Sequence, residues 1–401
     1  METTARTRSR RAVRRLALAQ LISVAGSFAA STALLYRVYA ITRSTLWVTA
    51  TALATSTAVV LVGLAGGILA DRFDRRRVMV LSDLAGAGCF VVLAMVHSPG
   101  AMVALAFAAA VAEAPFWPAS SAAVPNLVEE VDVPWANSLL MQATYAALSL
   151  GPLAGGAMVA GFGAPAAFFA NAGSFLVSAA ILAGTRGRFA ADRPTHEREH
   201  PDRRIWAGLA LVASRAELRV LTTVVTVIWA SFGLFVVVDV PLAAAFHAGP
   251  VGYAMLTAIW GGTAFAGSRL APAVLSRIDE GLALAVGLLV MAVTGGSIAV
   301  LPSFAAIVAV GGAGGIGQGV VMVAWRGMVQ QRTPDAVRGR FFAVTDAFQE
   351  AAFAVGMLGG GALAGLLGIQ PSYLVPGALL LVASALGWRL RADQKVAEPI
   401  T

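Results

Sequence analysis

Charge is scarce in this sequence. Of 401 residues only 12% are Asp, Glu, Lys or Arg, while 58% are hydrophobic and the mean hydropathy is +0.78. A soluble globular chain carries about 25% charged residues, so this one lacks the polar surface that a water-soluble body needs. A membrane protein is the class that remains. Cysteine is nearly missing too. Cys89 stands alone, which excludes an intrachain disulfide and a cysteine metal cluster, and it reads as a small packing residue in an apolar helix. Lysine occurs once, at Lys395, among 29 basic residues. The formal charge of +8 and pI near 10.6 would suit nucleic acid, but the arginines fall in a few short turns beside apolar runs. Basic residues there set membrane orientation, so no nucleic-acid partner is expected. No Ser-His-Asp grouping, metal-ligand spacing or phosphate loop lies in a loop able to hold it, so neither an enzyme, a cofactor nor a metal is expected.

What is abundant is apolar run length. Crossing a hydrocarbon core of ~30 Å takes about 20 apolar residues, and unpaired backbone groups in lipid demand helices. Twelve runs qualify, near 17–41, 46–69, 77–97, 100–125, 137–162, 164–184, 219–245, 250–274, 281–301, 303–327, 341–367 and 370–390. With the N-terminus inside, every basic residue except Arg37 and Arg43 falls on the inner side, a strong positive-inside bias that places both termini in the cytoplasm. Six arginines from Arg6 to Arg15 precede the first run. That run is too long for a secretory signal and reads as a retained first span.

One long polar stretch, 185–218, divides the runs six and six. The expected domains are therefore 1–184, a linker 185–218, and 219–401. Within the linker, Ile205, Leu209, Val212 and Ala216 share a helical face flanked by arginines, as in a helix lying on the inner leaflet. His196 and His200 are spaced for a shared metal but sit in a charged segment, where solvated side chains are the plainer reading. The halves repeat faintly: Gly67 matches Gly267, and Ser27-Phe28 matches Ser231-Phe232.

The charged turn after the second run reads Gly67-Ile-Leu-Ala-Asp71-Arg72-Phe-Asp-Arg75-Arg76. It resembles the signature loop between helices 2 and 3 of the major facilitator superfamily, with Asp74 where that pattern prefers glycine. The resemblance implies an all-α membrane protein of twelve transmembrane helices in two pseudo-symmetric six-helix bundles. It implies a substrate handled between the bundles near the midplane and an inner gate in which Asp71 faces the helix entered through Arg338-Gly339-Arg340. A carboxylate at a helix N-terminus is stabilised by about 0.3–1 kcal/mol. The plainer alternative is that Asp71 and its arginines only set topology.

Phe116 to Val128, Ala136-Asn137 and Gln331 to Arg340 resemble segments of a bacterial efflux branch of the superfamily, the enterobactin-exporter-like and macrolide-efflux-like proteins. Two positions depart from it: Ser120 stands for an arginine and Ser27 for a helix 1 acid. Gly151-Pro152-Leu-Ala-Gly155-Gly156 resembles the centre of the antiporter motif of drug/proton exchangers, with Ala147 where a further glycine is expected. Close packing of small residues explains the same run. Gly312-Ala-Gly314-Gly-Ile-Gly317 matches a dinucleotide fingerprint by spacing alone and lacks the strand context.

Ionisable residues inside spans cost roughly 2.5–3.5 kcal/mol each at a helix centre. Glu113, in the middle of the fourth run, is the candidate for a protonatable coupling acid or a cation-binding group; its alternative is a structural acid bonded to a neighbouring helix. Arg37 and Asp239 sit at similar depth in the first and seventh runs, so they either pair as an outer gate or meet water separately. Asp346 and Glu350 lie one turn apart near the inner end of the eleventh. Depth alone nominates Tyr36, Trp117, Trp229 and Gln318 as pocket residues. The expectation is a monomeric secondary transporter of the bacterial inner (plasma) membrane, multi-pass, exporting a hydrophobic or amphipathic small molecule in exchange for protons. The alternatives are an uptake symporter of the same fold and a non-transporting membrane sensor.

Overall fold

The computed structural model of the protein describes residues 2–185, 187, 189, 209–333 and 335–396. Among them every regular element is helical. The helices are α1 (Glu2–Thr42), α2 (Thr45–Arg72), α3 (Arg75–Met95), α4 (Pro99–Glu113), α5 (Phe116–Leu127), α6 (Val133–Phe162) and α7 (Ala164–Ala183). After the linker come a short α8 over residues 209–214, then α9 (Ala216–Ala245), α10 (Gly249–Leu275), α11 (Glu280–Ser297), α12 (Phe304–Arg332), α13 (Asp335–Leu367) and α14 (Leu374–Val396). Ten described helical stretches are long and apolar enough to cross a membrane. The other two expected runs are also helical, as α2 and α10, with α2 apolar over Thr45–Val59.

Two expectations are corrected. The fourth run is two helices, because Pro115 and Pro118 remove the N–H groups that would have bonded the carbonyls of Val111 and Ala114. The chain turns at Ala114–Pro115, directly after Glu113. The leaflet helix expected through Ile205, Leu209, Val212 and Ala216 is interrupted: Arg215 is extended, with φ −124° and ψ 123°, and α9 starts at Ala216. Residues 201–208, with Ile205, lie outside the described residues, as do His196 and His200.

The chain divides into two compact units, one of Met1–Pro194 with Ala248–Ala258, the other of Thr195–His247 with Ile259–Thr401. In the first, α1 packs on α6 and α7, α3 on α7, and α2 on α4. In the second, α9 packs on α13, and α11 on α14 and α12. The partners recur in the same order along each half, which is the repeat faintly visible in the sequence. Glycine permits the closest of these approaches. A β-carbon at Gly155 would stand 2.3 Å from the Ala29 carbonyl oxygen across α6 and α1, and one at Gly356 would stand 1.9 Å from that of Ala230 across α13 and α9. Such contacts bring backbones together where lipid supplies no hydrophobic drive. Large apolar side chains such as Phe162, Val293 and Leu366 are exposed, as helices facing hydrocarbon require.

Candidate functional site

In the first unit a file of polar residues follows one face of α1. Gln20, Ser23 and Ser27 are spaced three and four apart, so they stack on successive turns. Gln20 Nε2 donates to Thr144 Oγ1 at 2.9 Å and to the Leu140 carbonyl at 3.4 Å, both on α6, while its Oε1 accepts from Ser120 Oγ of α5 at 3.0 Å. One turn on, Ser23 Oγ donates to Asp83 Oδ1 of α3 at 3.1 Å. A further turn on, Ser27 Oγ donates to Glu113 Oε2 at 2.7 Å. Glu113 is the last residue of α4, and its Cγ lies 3.5 Å from where a β-carbon at Gly86 of α3 would stand.

Asp83 is 2% exposed and its Oδ2 accepts no hydrogen bond. On α7, Ser178 and Asn171 are fully buried; the Ser178 hydroxyl lies beside Asp83, and the Asn171 Nδ2 has no hydrogen-bond partner. Asp83 lies one turn before Gly86 on α3, so Asp83 and Glu113 meet α1 on adjacent turns. Among the described residues no basic side chain pairs with either acid; the ion pairs Arg10–Asp132 and Arg332–Glu217 lie elsewhere. Sequence reasoning named Glu113 but missed Asp83 and Gln20. The signal for Asp83 was its place in an apolar run, masked by the arginines just before it. Because α3 starts at Arg75, Asp83 is about 12 Å along the helix.

The signature turn is shorter than its charge pattern suggests. Asp71 and Arg72 end α2 and Arg75 begins α3, leaving only Phe73 and Asp74 between. Asp74, the departure from the pattern, caps α3: its Oδ1 accepts from the backbone N–H of Arg76 at 2.9 Å and of Arg77 at 3.2 Å. Arg75 and Arg76 turn to their own unit. Arg75 Nη1 donates to the Phe189 carbonyl at 3.4 Å, and Arg76 Nη1 to the Thr185 carbonyl at 3.2 Å. The side chains of Gly67's neighbours Asp71 and Arg72, and of Arg338 and Arg340 on α13, lie outside the described residues.

Arg37 and Asp239 each hold a partner within their own unit. Arg37 Nη2 donates to the Val96 carbonyl at 2.9 Å, and its guanidinium lies over the Phe168 ring at 5.7 Å. Asp239 of α9 accepts from the Tyr373 hydroxyl, whose ring stacks on Phe235 at 5.5 Å between centroids. Asp346 and Glu350 are exposed on α13, and Asp346 accepts from Gln349. Of the residues nominated by depth, Trp229 joins an aromatic cluster in the second unit. It meets Phe232 and Phe353 edge-on, and Phe232 stacks on Trp260 at 4.7 Å. Gln318 Oε1 is buried without a partner, while Trp117 is exposed and Tyr36 half-buried.

The glycine runs both serve helix contact. Gly151 and Pro152 are buried in α6. Gly151 faces Ala25 and Phe28 of α1, and Gly156 faces Pro250 and Ala254 within the same unit. Gly314 and Gly317 of α12 face Thr294 and Gly287 of α11, so the dinucleotide spacing is a packing surface.

Comparison with known proteins gives the same architecture. The transmembrane secretion effector family matches residues 5–399. An uncharacterised MFS-type transporter of Bacillus subtilis (strain 168), YfiS, is 26% identical over 359 residues, covering 85% of this chain and 82% of the relative. Among solved structures, a bacterial homologue of the human lysosomal transporter Spinster superposes with a TM-score of 0.76 at 13% identity, covering 97% of this chain and 98% of that one. The nucleoside transporter NupG superposes with a TM-score of 0.74 at 13% identity, covering 95% of this chain and 99% of that one. At such identity the two structures speak for the fold alone. The chain belongs to the transmembrane secretion effector family of the major facilitator superfamily and is a membrane transporter.

Proposed function

We propose that the protein exports a hydrophobic or amphipathic small molecule across the bacterial plasma membrane by alternating access, in exchange for protons. The observation that carries this reading is the Ser27–Glu113 contact at 2.7 Å. It is a carboxylate inside a span, next to a helix break, with a hydroxyl for partner and, among the described residues, no basic side chain paired to it. A charge there is costly, so a group that takes up and releases a proton suits the position better than a permanently ionised one. Export is supported by the efflux-branch segments around Phe116, Ala136 and Gln331 and by the family's description as secretion effectors. The partly exposed ring cluster of Trp229, Phe232, Trp260 and Phe353 suits an apolar, ring-bearing substrate. In this reading Asp71 and Arg72 keep the gating role that the resemblance implies, and both termini are cytoplasmic.

The driving force is sufficient. One elementary charge crossing 100 mV releases ~2.3 kcal/mol, which sustains a substrate gradient of roughly 40-fold. Everted membrane vesicles loaded with a lipophilic cationic dye test the reading. An imposed pH gradient, acid inside, is expected to drive dye accumulation that Glu113→Gln abolishes. Accumulation only in right-side-out vesicles would identify an uptake symporter instead, and an unimpaired Glu113→Gln protein would remove Glu113 from the mechanism.

A further inference from the structure

The reading above uses one buried acid and leaves the other unexplained. Asp83 is 2% exposed and has only the hydroxyls of Ser23 and Ser178 beside it, while its Oδ2 takes no close hydrogen bond. An ionised carboxylate in such a place is poorly compensated. Two ionised carboxylates one helical turn apart, with no basic side chain paired to either among the described residues, are worse. The pair therefore favours holding at least one proton in common. The geometry also gives that proton a direction. Ser23–Asp83 and Ser27–Glu113 are consecutive rungs on α1, one turn apart, and the Gln20–Thr144–Ser120 network is the rung before them. The file continues toward the end of α1 that carries Arg10, Arg11, Arg14 and Arg15.

We infer that Asp83 is a second proton-binding residue, which relays a proton between Glu113 and the arginine-rich end of α1 through the interior of the first bundle. The inference rests on Glu113 being the coupling acid. In the transfer the O–H bond on Glu113 breaks and one forms on Asp83. The negative charge moves the opposite way, and the pair keeps a net charge of −1 throughout. Ser23 and Ser27 hold the two carboxylates from α1, and Asn171, Ser174 and Ser178 line the α7 side. Cys89, one turn after Gly86 on α3, is a further titratable group on this side of the bundle. Such a path would let protons move without passing through the substrate's route.

The test uses the full-length protein in proteoliposomes on a solid-supported membrane, with a pH step and no substrate. The wild type is expected to give a transient charge displacement that Glu113→Gln abolishes. Asp83→Asn should slow its relaxation at least about 100-fold, the lower end for a positioned proton-transfer group, and Asp83→Glu should restore the wild-type rate. Ser23→Ala leaves both carboxylates in place and should slow relaxation in the same direction, so it decides the matter if Asp83→Asn fails to fold. A transient that needs Glu113 but relaxes at the wild-type rate in both Asp83→Asn and Ser23→Ala would overturn the relay alone. A transient that survives Glu113→Gln would overturn the coupling reading and the relay with it.

Discussion

Ser27 shows how a single position changes chemistry without moving the site. The efflux branch places an acid there; this chain has a hydroxyl, which donates to Glu113. Two acids at that contact would repel unless one held a proton, whereas Ser27 and Glu113 form a neutral-donor hydrogen bond in either state that leaves the carboxyl an acceptor. The second acid is instead Asp83, one turn away on a different helix. Glycine is the other residue on which the bundles depend. A side chain at Gly356 would collide with the Ala230 backbone, while Gly359 on the same helix faces open space. Gly356→Leu is therefore expected to destabilise by about 1–3 kcal/mol, the usual cost of overpacking, and Gly359→Leu to be near neutral. Thermal unfolding of the two variants in detergent checks the contrast; equal midpoints would mean that α9 and α13 are not so closely packed.

At the scale of elements, a helix break and a docked linker shape the first unit. Pro115 ends α4 at Glu113, so the acid sits at a helix terminus whose carbonyls have lost their donors. The start of the linker is held onto the bundle. Phe189 is 2% exposed in a core with Leu16, Met79 and Leu127. Arg15 donates to the Gly184 carbonyl, Arg76 to that of Thr185 and Arg75 to that of Phe189, and the Arg76 guanidinium lies 5.9 Å from the Phe189 ring centre. Truncating a buried Phe costs about 3–5 kcal/mol, and local opening rises with the loss. Phe189→Ala is expected to speed tryptic cleavage after Arg186 and Arg188 at least about tenfold, while the rate of cutting near the C-terminus stays unchanged. Equal cleavage rates in the variant and the wild type would show that Phe189 is not an anchor.

Across the whole molecule, the distribution of charge decides how the chain lies in the bilayer. The expected orientation puts all basic residues but Arg37 and Arg43 on the inner side, and Arg37 is buried on Val96 and Phe168. Among the described residues, positive φ occurs in the turns expected on the outer side: Arg43 at 52°, Gly163 at 81°, His247 at 55°, Gly249 at 65° and Gly368 at 92°. These fall after the first, fifth, seventh and eleventh expected spans, the same two places in each half. Cys89 is the one native cysteine, so a Cys89→Ala background allows single cysteines to be placed at will. Thr3→Cys and Thr401→Cys are expected to react with an impermeant maleimide only from the cytoplasmic side, and Arg43→Cys only from outside. Termini that label from opposite sides would overturn the orientation and the export assignment built on it.

The sequence by itself determined the class, the span positions and the repeat, because apolar run length and arginine placement are one-dimensional signals imposed by the bilayer. It also singled out Glu113, since an acid in the middle of an apolar run is visible without any neighbour. Only the tertiary structure decided which groups that acid meets. Ser23 with Asp83, Ser27 with Glu113 and Gln20 with Ser120 are separated by 60, 86 and 100 residues in the chain. Such pairings arise from which helix faces are pressed together, and packing partners of that separation leave no periodic trace in a sequence.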